Sequence, residues 1–176
     1  NVQLGEKWIT EHAEDNEAAT QLCVVYPDVG ANLLFLRQHP RERIRHQEIA
    51  LATARRISDR AAEGRQLANL GNAFIELGEP RRAVELYQER LALALQIGDR
   101  GGEGIAYGNL GVAYAELGAT RQAIEFYKQH LNITRALQDR RGESSALGNL
   151  GTAYSDLGET RKAIEFYELK LTLARE

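Results

Sequence analysis

A five-residue pattern returns twice along this chain at an interval of 40 residues. Leu70-Gly71-Asn72-Ala73-Phe74 recurs as Leu110-Gly111-Val112-Ala113-Tyr114 and again as Leu150-Gly151-Thr152-Ala153-Tyr154. Leu77-Gly78, Leu117-Gly118 and Leu157-Gly158 keep the same register, as do Ala83, Ala123 and Ala163. Residues 100–136 and 140–176 are identical at 21 of 37 positions. A repeat of this length is one supersecondary unit that cannot bury its apolar surface alone, so successive units must stack.

Within each unit the punctuation reads helix, turn, helix. Asp59, Asp99 and Asp139 suit N-caps, and Glu63, Glu103 and Glu143 place negative charge in the first turn, where the helix dipole favours it. Gly78, Gly118 and Gly158 can end the first helix in a left-handed conformation without a Cβ penalty. Pro80 opens the second helix, where its missing amide hydrogen costs nothing. A connection this short makes the two helices antiparallel.

Helical spacing assigns the faces. Leu110, Gly111 and Tyr114 fall within about 60° of Tyr107, which defines the face against the partner helix. Gly71, Gly111 and Gly151 then mark a close helix approach, with Ala123-type residues expected opposite. Ala106 and Ala113 point toward a neighbouring unit.

Tyr107, Leu110-Gly111, Ala113-Tyr114, Leu117-Gly118, Ala123 and Tyr127 together resemble the tetratricopeptide repeat (TPR), with a 40-residue period in place of the usual 34. The Asp-Arg preceding the first helix is similar to that of the Pins and kinesin light chain repeats, and of the repeat tails of bacterial STAND-type signalling NTPases. The resemblance covers roughly residues 60–176. It implies an all-α, right-handed helix-turn-helix solenoid that binds protein or peptide segments.

The first 59 residues are less regular. A 40-residue shift sets Pro40-Arg41 over Pro80-Arg81, Leu51 over Leu91 and Asp59 over Asp99, so 20–59 reads as a degenerate repeat. It shows Gly30-Ala31 for Leu-Gly, and Arg43 where alanine is expected. Leu4 to His12 suggests a lead-in helix carrying Trp8 and Ile9. The expected organisation is a lead-in over 1–19, a divergent N-terminal helical cap over 20–59, repeats over 60–99 and 100–139, and a repeat over 140–176 truncated at its second helix. The absence of methionine and the start at Asn1 indicate a piece of a longer polypeptide. The final helix is expected to lack a cap, leaving Ala146 and Ala153 uncovered and prone to end-to-end association.

Composition excludes several functions. Lys+Arg 22 against Asp+Glu 25 leaves a net charge of -3, so no basic field draws the chain to nucleic acid or anionic lipid. Cys23 is the single cysteine, which rules out an internal disulfide framework and multi-cysteine metal sites; its apolar neighbours make it a buried small side chain. His12, His39, His46 and His130 lack metal-ligand spacing and read as surface residues. Gly102-Glu103-Gly104 runs into an amphipathic helix with no strand before it, so it is no dinucleotide fingerprint. No phosphate-binding loop is present, no acid, base and nucleophile converge, and no cofactor is expected; any NTPase of the parent protein lies outside this segment. No targeting segment is visible, which makes the cytoplasm the default compartment.

What remains is the first-helix face turned away from the partner helix. It carries Arg65, Asn69, Asn72 and Glu76, then Ile105, Asn109, Val112 and Glu116, then Ser145, Asn149, Thr152 and Asp156. Asn69, Asn109 and Asn149 form one ladder, and a carboxamide can both donate to and accept from an extended backbone. Glu76, Glu116 and Asp156 form an acidic row that favours Lys or Arg in a partner. Ala68, Gly108 and Gly148 are expected to leave room for the incoming chain. The function expected is a non-catalytic peptide-binding module in the sensor or regulatory arm of a signalling protein. A sensor for small molecules or pheromone peptides and a self-assembling scaffold are the alternatives.

Overall fold

The structure, a computed structural model, describes residues 40–175. They form seven α-helices: α1 (Pro40–Arg56), α2 (Arg60–Glu76), α3 (Pro80–Ile97), α4 (Arg100–Glu116), α5 (Thr120–Ala136), α6 (Arg140–Asp156) and α7 (Thr160–Arg175). The proposed lead-in helix, Cys23, Gly30-Ala31, His12 and His39 lie outside the described residues. The chain divides into two compact units, Asn1–Leu77 and Gly78–Glu176.

The helix boundaries follow the sequence punctuation. Asp59 accepts from the Ala62 amide at 2.9 Å, Asp99 from Gly102 at 2.8 Å, and Asp139 from Arg141 and Gly142 at 3.1 and 3.0 Å. Each cap satisfies amides that the first turn would leave without partners. Gly78, Gly118 and Gly158 adopt φ of 78°, 73° and 75° just past the first helices, and Pro80 is the first residue of α3. Pro40 likewise opens α1, as the 40-residue shift requires.

In the first unit α1 packs on α2 around Ala54 and Ala62. Glu63 is buried at the start of α2 and is held by Arg55 and Arg60 at 3.0 and 2.9 Å. In the second unit each helix packs on the next, α3 on α4, α4 on α5, α5 on α6 and α6 on α7. One core runs through Ala123, Ile124, Tyr127 and Leu131 of α5, Ala146, Leu147, Leu150 and Ala153 of α6, and Ala163 of α7.

The hairpin face holds the predicted residues. Tyr107 and Tyr114 stack on Phe126 with ring centroids 6.3 and 5.1 Å apart. At Gly111 the close approach is to an aromatic ring rather than to Ala123. A Cβ there would lie 2.3 Å from Cε1 of Tyr127.

Three expectations need correction. Ala146 and Ala153 are covered, because α5 and α7 flank α6; the uncovered apolar face belongs to α7 instead. His130 is no surface histidine: it is 8% exposed and lies against Gly104 and Gly108, where absent side chains make room for the imidazole. Tyr167, which the 40-residue register aligns with the buried Tyr127 and so places in the core, is 44% exposed.

Candidate functional site

The outward face of the first helices forms because apolar and small residues of α2, α4 and α6 are drawn toward neighbouring helices. What is left over is polar. In the first unit Arg65, Asn72 and Glu76 are exposed and Asn69 is half-buried. In the second, Ile105, Glu116, Ser145, Thr152 and Asp156 are exposed, while Asn109, Val112 and Asn149 are half-buried. Of these twelve residues eight are exposed and four are half-buried.

Local contacts separate residues that the sequence pattern had grouped. Glu76 forms an ion pair with Arg43 of α1, so the first member of the acidic row is already neutralised within its unit. Arg43 stands where the later repeats carry Ala83, Ala123 and Ala163. Glu116 and Asp156 have no ion-pair partner among the described residues. The Thr152 hydroxyl lies 3.1 Å from the Gly148 carbonyl, to which it donates, and 3.2 Å from the Tyr167 hydroxyl. Asn109 and Asn149 have no hydrogen-bond partner for their carboxamides among the described residues.

The room expected beside the asparagines is filled from within. A Cβ at Gly108 would sit 2.9 Å from Nδ1 of His130, and one at Gly148 would sit 2.9 Å from Nζ of Lys170. These glycines admit side chains of the hairpin partner, not an incoming chain. The His130 Nδ1 has no hydrogen-bond partner among the described residues. Burial holds this imidazole below its ordinary pKa, an effect partly offset by Asp139.

In the sequence Tyr127 stands only as one residue of the repeat pattern. Burial, and then the nearby carboxylates of Glu116 and Asp156, push its phenol up to about 12. One tyrosine on α5 thus senses the acidic residues that end α4 and α6. The clue available in the sequence was the exchange of Thr152 for Val112, which removes the hydroxyl that answers Tyr167 one repeat later.

Family models of the tetratricopeptide repeat match residues 66–101 and 103–176. The chain belongs to the tetratricopeptide repeat family. Its repeats make it a TPR protein-interaction module. No curated protein sequence matches it significantly. Among solved structures it is similar to the TPR domain of Arabidopsis FLU, at 26% identity and a TM-score of 0.62, over 66% of this chain and 98% of that one. The STAND protein with a tetratricopeptide repeat sensor from Pyrococcus horikoshii aligns over 99% of this chain at 20% identity and a TM-score of 0.78. This TPR chain spans 30% of that protein's length. The "kinesin light chain nearly identical TPR-like repeats" of Podosopora anserina align over 98% of this chain and 93% of their own, at 15% identity and a TM-score of 0.67. No helix among the described residues is long and apolar enough to cross a membrane.

Proposed function

We propose that the outward face of α4 and α6 receives an extended segment of a partner protein, with Asn109 and Asn149 bonding to its backbone. The observation that supports this is the pair of half-buried carboxamides, 40 residues apart in register, with no partner among the described residues. Each offers one acceptor and two donors, which matches the alternating groups of an extended chain. Ile105, Val112, Ser145 and Thr152 surround them with small contact surface, and Arg65, Asn69 and Asn72 hold the register-equivalent face in the first unit. The chain acts without catalysis, as the sensor or regulatory arm of a larger cytoplasmic signalling protein. The segment shifts that protein's equilibrium through its different affinity for two states.

The experiment is a selection of peptides from a random display library on the full chain, followed by titration of the enriched peptides. Asn109→Ala and Asn149→Ala should each weaken binding by about fivefold, the value of one hydrogen bond of roughly 1 kcal/mol. Peptides that bind both variants with unchanged affinity would move the binding surface elsewhere on the molecule.

A further inference from the structure

Three polar groups of the second unit sit on the consecutive helices α4, α5 and α6, and both carboxylates lie near enough to Tyr127 to act on its phenol. Glu116 ends α4 and Asp156 ends α6, one repeat apart in register, and both are exposed. Neither carboxylate has an ion-pair or hydrogen-bond partner among the described residues. Tyr127 of α5 packs against Gly111 of α4 and shares a core with Ala146, Leu150 and Ala153 of α6. It is 4% exposed, yet its hydroxyl has no hydrogen-bond partner among the described residues.

The repeat explains where that hydroxyl points. Tyr167 lies on Gly151 through the same ring atoms by which Tyr127 lies on Gly111, so the two rings share one pose. The Tyr167 hydroxyl lies 3.2 Å from Thr152, on the outward face of α6. The Tyr127 hydroxyl therefore emerges beside Val112, one turn before Glu116, where valine gives it nothing to bond. A hydroxyl held at the rim of the core with no protein partner is free to bond a group that a ligand brings to it.

The first unit shows what this acidic position accepts. Glu76 is the register equivalent of Glu116 and Asp156, and the guanidinium of Arg43 occupies it. Ala83 and Ala123 replace Arg43 in the following repeats and cannot supply a cation.

We propose that Glu116, Asp156 and the Tyr127 hydroxyl form a socket for one arginine side chain of the bound segment. The socket rests on the reading of this face as a peptide receptor and names one residue of the peptide. Guanidinium suits it better than ammonium, because five donors on a planar fork can serve acceptors on different sides at once. The tyrosine oxygen accepts from one N–H while its own proton is donated to a carboxylate.

The test titrates the full chain with N-acetyl-arginine amide and follows backbone and tyrosine-ring NMR shifts. Saturable shifts centred on Glu116, Tyr127 and Asp156 are expected, weaker with N-acetyl-lysine amide and absent with N-acetyl-glutamine amide. Glu116→Gln with Asp156→Asn should abolish them. Tyr127→Phe should weaken binding by about threefold, as should Val112→Thr, which restores the internal partner that Tyr167 already has. Shifts spread evenly over surface carboxylates such as Glu85 and Glu125, or shifts that survive the double variant, overturn the socket. Selected peptides that need Asn109 but carry no basic residue overturn it too, and leave the receptor reading standing. Arginine amide held at the socket while no peptide depends on Asn109 or Asn149 supports the socket and sinks the asparagine contacts.

Discussion

Helices α5 and α7 carry the same core sequence, Ala-Ile-Glu-Phe-Tyr, at 123–127 and 163–167, and meet different fates. Ile124, Tyr127 and Leu131 are 4%, 4% and 6% exposed; Ile164, Tyr167 and Leu171 are 50%, 44% and 50% exposed. Ala163 stays buried like Ala123, and Phe166 stacks on Tyr154 with centroids 5.4 Å apart as Phe126 does on Tyr114. The two faces of a second helix are thus independent. One closes the hairpin with the preceding helix and forms in both α5 and α7. The other is buried only where a following first helix lies on it, as α6 lies on α5.

The largest effect should come from overfilling the hairpin face. Gly111→Leu forces the ring of Tyr127 aside, and that ring is enclosed by α4 and α6; we expect a loss of about 3 kcal/mol in urea melts. Gly151→Leu meets Tyr167 at a similar 2.5 Å, but that ring has open space to retreat into. Its cost should be about 1 kcal/mol. Equal losses at the two glycines would mean that the following helix does not confine the tyrosine.

Deleting one side chain from the stacking face sharpens the same contrast. Ile124→Ala should cost about 3 kcal/mol, and Ile164→Ala under about 1 kcal/mol, because half of that side chain is already in water. Appending the sequence of 137–156 directly after Glu176 keeps the 40-residue register and supplies α7 with a copy of the helix that covers α5. In that extended chain Ile164→Ala should become as costly as Ile124→Ala. Sedimentation should also show that the extension suppresses any concentration-dependent association of the shorter chain. An unchanged cost at Ile164 would refute the equivalence of the two stacking faces.

The sequence made the helices and hairpins legible because their determinants are local: aspartate caps, glycines past the first helices, and Pro80 at a helix start. The outward face was legible for the same reason, since 100° per residue places Asn109 and Glu116 opposite Gly111. Contacts between elements were harder to read. Arg43 could be seen to break the alanine pattern, but its reach to Glu76 depends on how α1 meets α2. Gly108 and Gly148 looked like free space, and only tertiary packing shows His130 and Lys170 filling it. The face of α7 could not be judged from its own residues, which are those of α5. Burial there belongs to the next helix.

The hairpins also differ in charge. Position 130 on α5 is a buried histidine, and its equivalent on α7 is the exposed Lys170. Because burial lowers the pKa of His130 in the folded state, the unfolded chain binds more protons below about pH 6.5. The stability tied to this residue is complete above that pH and falls as the pH drops below it, until the folded form also takes up a proton. We expect urea midpoints of the wild type to fall from pH 7.5 to pH 5 more steeply than those of His130→Gln, by less than either packing effect. Parallel curves would remove His130 from the difference between the two hairpins.

The smallest effect is expected where the two repeats do not differ. Asn109 and Asn149 are both half-buried on the outward face, and neither has a partner for its carboxamide among the described residues. One lies in a hairpin that is covered on both sides, the other in a hairpin covered on one. If their environment is set only by the helix that carries them, the following helix is irrelevant to both. Asn109→Ala and Asn149→Ala should then change stability by less than about 0.5 kcal/mol each, as surface substitutions do, even as both weaken peptide binding. Urea melts and peptide titrations of the same two variants decide the matter. A stability loss at Asn109 alone would mean that its carboxamide helps hold the covered hairpin together, and the asparagine would then belong to the fold rather than to the receptor face.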